Sequence, residues 1–197
     1  MNAYGLQYTL RPLGESVDLM TFSPNGRFLV VGDREPACLR ILDRLVGFRP
    51  TIKTDTVSSP TSLVFENQTS FLAGFDDGRF VRYAIDLTSK RLVEGWTNNT
   101  LRGVSCVTAI ALDETSQTLA LATGPSVLVF SRIYGTGETP GWMLISQLTS
   151  VLGKFQFTAN ISKYFNLRDE LANPSPKSLC FSSCGQIHVA FSEQIVV

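Results

Sequence analysis

A single histidine, His188, occurs in the 197 residues of the chain. A Ser-His-Asp or Cys-His relay needs its histidine held beside a nucleophile. Nothing positions Ser182, Ser183 or Cys184 for that role except a nearby turn. His188 itself falls in an apolar strand, so a structural or solvent-facing role is expected. Cysteines are also sparse: Cys38, Cys106, Cys180 and Cys184 are scattered and form no C-x-x-C pair. A zinc site needs four Cys or His ligands at short spacing, whereas Cys180 and Cys184 straddle a strand and its turn. No metal site is expected, and the cysteines should be free thiols. Charge is scarce too, at 17% of residues, with 17 basic side chains against 17 acidic and no basic stripe. That argues against nucleic acid as a partner, because neutralising phosphates takes a positive footprint. No apolar run approaches the ~18 residues of a membrane helix. The opening MNAYGLQYTL lacks the basic and continuous apolar segments of a secretion signal. The expectation is an intracellular protein, cytoplasmic or nuclear, that does not engage membranes.

Apolar residues make up 44% of the chain, and they are arranged in repeats. VDLMTFSPNGRFLVVGDREPACLRILD (17–43), PTSLVFENQTSFLAGFDDGRFVRYAID (60–86), CVTAIALDETSQTLALATGPSVLVFS (106–131) and PKSLCFSSCGQIHVAFSEQIVV (176–197) follow one order of events. A short alternating strand ends on a large apolar anchor: Phe22, Phe65, Leu112 or Phe181. A polar turn, a second apolar strand, a tight break and a third strand follow. The segments are short, rich in Val, Ile, Phe and Thr, and bounded by breakers, which favours strand over helix. Asn25-Gly26 and Asp77-Gly78 are pairs suited to two-residue hairpin turns. The second strands are apolar on both faces, as in sheets covered on both sides. Fourth strands are expected near 51–56, 92–96 and 142–148, with a lone strand at 7–10.

The anchors Phe22, Phe65 and Leu112 lie 43 and 47 residues apart, a spacing that marks propeller blades. The units resemble WD-repeat blades, in which a strand, an F-S-P-x-G turn, a strand, a D-G turn and a strand ending in Trp-Asp succeed one another. Here the endings are Leu42-Asp43, Ile85-Asp86 and Phe130-Ser131. None of the units has the Trp, and no Gly-His pair precedes a first strand, so the family's Asp-His-Ser-Trp hydrogen-bond network is not carried over. The resemblance implies an all-β fold, a β-propeller of about four four-stranded antiparallel blades. The blades fall near 17–56, 60–96, 106–148 and 176–197, the last incomplete. In closed propellers of this family an N-terminal strand completes the last blade, a part that residues 7–10 would play.

Leu112 and Phe181 are 69 residues apart, which leaves an insertion at 150–175. The spacing Ile161, Tyr164, Phe165, Leu171 predicts a short helix with Asn160 as N-cap, ended by Asn173-Pro174. The glycine-rich GTGETPG (135–141) opens no helix and reads as a connector rather than a phosphate loop.

The leading function is a non-catalytic scaffold that binds protein or peptide partners through blade loops and the inserted segment. The candidate contacts are Asp33, Arg34 and Glu35 in the first blade, Asp76 in the second, and Tyr164 and Phe165 as an aromatic anchor. No cofactor is expected. The alternative is an enzymatic or ligand-binding propeller with a metal or small molecule in its channel. Its loops would need acidic, Asn or His residues at matching positions of several blades, and the third blade offers only Gly124-Pro125-Ser126. Finally, the end at Val197, inside an apolar strand, leads to the expectation of a fragment that self-associates through open blade edges.

Overall fold

The computed structural model describes residues 17–98, 105–113, 115, 117–133, 141–151, 154–157, 176–182, 186–191 and 195–196. They form four antiparallel sheets met in chain order. Blade 1 is β1 (Leu19–Phe22), β2 (Phe28–Arg34), β3 (Ala37–Asp43) and β4 (Arg49–Asp55). Blade 2 is β5 (Pro60–Phe65), β6 (Ser70–Phe75), β7 (Phe80–Asp86) and β8 (Arg91–Asn98). Blade 3 holds β9 (Val107–Leu112), β10 (Thr118–Thr123), β11 (Ser126–Ile133), β12 (Gly141–Val151) and β13 (Lys154–Phe157). Blade 4 holds β14 (Pro176–Phe181), β15 (Ile187–Phe191) and β16 (Ile195–Val196). The all-β propeller expected from the repeats is therefore present, with two departures from four strands per blade. Blade 3 has five strands and blade 4 has three among the described residues. The fifth strand arises because β12 runs on to Val151 and folds back, pairing Leu148 with Phe157 and Val151 with Lys154. The expected strand at 7–10 and the expected helix with Tyr164 and Phe165 lie outside the described residues.

Local chemistry explains the hairpins. In blade 1 the Ser23 hydroxyl accepts from the Phe28 N–H at 2.9 Å, and the Asn25 side chain accepts from the Arg27 N–H at 3.0 Å. In blade 2 one Asn67 oxygen accepts from the N–H groups of Thr69 and Ser70. In blade 3 Asp113 does the same for Gln117 and Thr118. Each turn thus satisfies its own backbone donors within a few residues, the usual role of Asx and Ser turns. The D-G turn is longer than a two-residue loop. Phe75 N–H bonds the Arg79 carbonyl and Gly78 N–H bonds the Phe75 carbonyl, with Gly78 alone at positive φ, +87°. That is a three-residue loop closed by a left-handed glycine, not a turn with two positive φ values. Asp43 and Asp86, which end the third strands, each accept the N–H two residues on, from Leu45 and Thr88 at 2.9 Å. Those contacts turn the chain toward the fourth strand.

The inner strands β1, β5, β9 and β14 stand in a row, each packed on the next. Every residue of the second strand β6 is buried, and β2 and β10 are buried along almost all their length. Blades 2 and 3 are sandwiched because their two faces meet different neighbours. The face of blade 2 carrying Phe71, Phe75 and Tyr83 meets Phe28, Val30 and Ile41 of blade 1. Its other face sends Leu72 and Phe80 against Leu119, Leu128 and Trp142 of blade 3. Between blades 3 and 4 the contact is made of Ala109, Ala111, Ala120, Ala122, Val127 and Val129 against Leu179, Ile187 and Val189, with Phe181 packed against them.

Candidate functional site

The loops at one end of blades 1 and 2 carry exposed charges, and they are tied to one another. Ser59, just before β5, donates its hydroxyl to the Arg34 carbonyl at 3.3 Å, and its N–H bonds the Asp76 carboxylate at 3.1 Å. Asp76 N–H returns a bond to the Ser59 carbonyl. Arg34 N–H is held in turn by the Asp18 carboxylate at 3.1 Å. Two loops from neighbouring blades, 34–36 and 76–78, are thereby fixed into one rim. Arg34, Glu35 and Asp76 all face solvent there.

Beside Asp76, Asp77 turns inward. Its carboxylate accepts from the Ser58 hydroxyl and from Arg79 Nε, both at 2.7 Å. Burial pushes the Asp77 carboxyl up, but the Ser58 hydroxyl and the Arg79 N–H and guanidinium outweigh it, leaving the group below its ordinary value. The Arg79 guanidinium also lies 5.3 Å over the Phe75 ring.

Asp33 takes a different place. It is 1% exposed, on the face of blade 1 turned away from blade 2, and its carboxylate pairs with Arg40 at 2.9 Å. The Cys38 thiol donates to the same carboxylate at 3.3 Å. Burial, above the other influences, pushes the Cys38 thiol pKa up, which keeps it in the unreactive protonated form. The structure therefore leaves Arg34, Glu35 and Asp76 at the surface of the rim and places Asp33 inside the blade. Tyr164, Phe165 and Cys184 lie outside the described residues. Cys38, Cys106 and Cys180 are thiols rather than halves of disulfides. His188 is half-buried on β15, opposite Cys180.

Several residues that tie blade to blade carry no motif. Thr61 and Thr108 occupy the same place in β5 and β9, four residues before the anchors Phe65 and Leu112. Thr61 donates its hydroxyl to the Val107 carbonyl of the next blade, and Thr108 donates to that of Pro176 at 2.8 Å. The recurrence of Thr at this offset was visible in the sequence, but its inter-blade partner was not. Glu66 is another connector. Its carboxylate, with its side chain 1% exposed, pairs with Arg82 of its own blade at 2.6 Å and with Arg132 of blade 3 at 2.9 Å.

Among the described residues no group of His, Cys, Asp and Glu could hold a metal ion. No helix among them is long and apolar enough to cross a membrane.

Sheets of antiparallel strands, arrayed around inner strands and packed face to face, define a β-propeller fold. The chain is similar in structure to the β-propeller domain of Cps50 (Swd1) from Myceliophteria thermophila, over 88% of its length at TM-score 0.60 and 14% identity. It is also similar to a chain of a mitotic checkpoint complex, over 96% of its length at TM-score 0.65 and 12% identity. It spans about half of each of those chains, 49% and 50% respectively. At such identities the likeness is one of fold. No protein-family model matches the sequence, and no curated protein matches it.

Proposed function

We propose that the chain is a non-catalytic scaffold of WD-repeat type that binds a protein or peptide partner at the rim formed by blades 1 and 2. The observation that carries this reading is the Ser59 bridge between the Arg34 and Asp76 loops. It presents a cation and two carboxylates (Arg34, Glu35, Asp76) on loops anchored at both ends in buried strands. Loops held this way lose little backbone freedom on binding, which is where a rigid scaffold gains affinity. That one of the similar chains belongs to a mitotic checkpoint complex supports a scaffold in general. Tyr164 and Phe165 form a second proposed contact, an aromatic anchor of the kind that concentrates binding energy.

The test compares the full chain with a triple variant, Arg34→Ala, Glu35→Ala and Asp76→Ala, as immobilised bait. Proteins held by the wild type and lost by the variant, with both melting alike, support the reading; identical retention by both sinks it. Deleting 158–175 with a short Gly-Ser bridge tests the aromatic contact and leaves the β12–β13 hairpin whole. Retained folding with lost capture is the expected result, and unchanged capture removes Tyr164 and Phe165 from the site.

A further inference from the structure

We propose that a cleft between blades 2 and 3 receives one uncharged aromatic or branched aliphatic side chain of a partner protein. The inference rests on the scaffold reading above and adds to it a place and a ligand chemistry. The cleft measures about 480 Å³. It opens at the end of the blades that carries the rim, beside the β10–β11 turn and the end of β8. Its floor is apolar: Leu128 and Phe130 on β11, Trp142 and Leu144 on β12. Neutral amides and hydroxyls border it, among them Asn98, Ser105 and Gln147. Among the described residues no ionisable side chain lines it, so a charged group entering there would be desolvated without a counter-charge.

The register explains why the space is open. Phe71 of β6 sits between Phe65 and Tyr83, and Leu119 of β10 sits between Leu112 and Phe130, so the two positions correspond. Four residues further along, blade 2 has Phe75 and blade 3 has Thr123. The Phe75 ring is 1% exposed and fills the blade 1–blade 2 junction. Thr123 leaves the corresponding volume of the next junction empty and lines the cleft. Interiors close-pack at these junctions, and the chain itself shows which kind of side chain completes one.

A bulge in β12 finishes the wall. Phe130 pairs with Leu144 and Val129 with Ser146, which leaves Ile145 extra. The one-residue shift in alternation brings Gln147, opposite Leu128, onto the face already holding Trp142 and Leu144. Leu144 is 47% exposed, so an apolar surface leads from solvent to the floor.

The experiment titrates the full chain with three capped, uncharged-backbone pentapeptides that differ only at the centre: phenylalanine, glutamate or glycine. Trp142 in the floor and Trp96, the chain's two tryptophans, supply the emission signal. Two variants accompany the wild type. Thr123→Phe plugs the cleft with the residue that blade 2 uses, and Leu144→Glu charges its exposed lip, as Glu94 does at the matching place opposite Tyr83. The expected result is a saturable emission change with the phenylalanine peptide, at least tenfold weaker with the other two peptides. Binding should likewise be at least tenfold weaker in whichever variants melt like the wild type. Three outcomes overturn the proposal: no saturable change in a folded wild type, equal binding of the glycine peptide, or undiminished binding by a folded variant. Should Thr123→Phe not fold, Leu144→Glu at the surface decides alone. A chain that captures a partner in the rim experiment yet ignores the peptides overturns the cleft only; one that captures nothing there overturns the scaffold reading.

Discussion

The junction of blades 1 and 2 is built from rings, and that of blades 3 and 4 from methyl groups. In the first, Phe65 and Phe71 lie 5.7 Å apart by ring centroids, and Phe71 stacks on Tyr83 at 5.5 Å. In the second, four alanines from β9 and β10 and two valines from β11 face three aliphatic residues of blade 4, and among the described residues Phe181 is the one ring packed against them. Both hold strands of the same design, so the difference lies in how each junction gains its energy. Large rings bury much area per residue and lock one another in orientation. Alanines bury little each, and they suit sheets that approach closely because no side chain needs a pocket. The blade 2–blade 3 junction stands between the two: Phe80 meets Phe130 and Trp96 edge-on, the Glu66 ion pairs bridge it, and the cleft opens beside them.

The sharpest way to break this contrast is to remove a ring. Phe71→Ala deletes a fully buried side chain at the centre of the aromatic cluster and is expected to cost about 3–5 kcal/mol in urea denaturation. Glu66→Gln acts on the middle junction. It removes the carboxylate between Arg82 and Arg132, whose side chains are 12% and 13% exposed. Stranding buried cations costs roughly 3 kcal/mol, with hydrogen exchange rising first in β7 and β11. Ala120→Leu tests the alanine junction from the opposite side. Ala120 is fully buried, so the added carbons must push blades 3 and 4 apart, at about 1–3 kcal/mol. A neutral or stabilising result would show slack between those blades.

The smallest effect is a pH dependence confined to blades 1 and 2. Burial raises the Asp43 carboxyl, but the Arg27 guanidinium and the Leu45 N–H outweigh it, so that group, like Asp77, sits below its ordinary value when folded. A carboxyl with a lowered folded pKa binds its proton more readily in the unfolded chain. Its stabilising contribution is therefore complete above the ordinary carboxylate range and is lost as pH falls through the lowered values. The Leu45 and Arg79 amides, both held by these carboxylates, should lose exchange protection on acidification before the amides of β10. Asp43→Asn and Asp77→Asn together should flatten that dependence.

Strand order, anchor positions and the sites of the turns were legible in the residues because each is decided locally. Ser23, Asn67 and Asp113 close their hairpins on N–H groups within five positions, and the apolar runs between them have the lengths of strands. Composition likewise pointed to sheets covered on both faces. Alternation, however, divides a strand into two faces without saying which neighbour each will meet. That Asp33 would enter the blade rather than the rim depended on its sharing a face with Leu29, Val31 and Arg40. That Glu66 would join Arg132, and Thr61 the carbonyl of Val107, depended on blades 2 and 3 docking at one angle and height. Thr123 looked like an ordinary strand residue until the register set it where the preceding blade has Phe75. Hairpins close on contacts near in sequence, so the sequence alone determined the blades. The junctions join residues far apart in the chain, 46 positions for Thr61 with Val107 and 68 for Thr108 with Pro176, and only the packing of whole sheets decided which charges are buried, which rings touch and where a space is left.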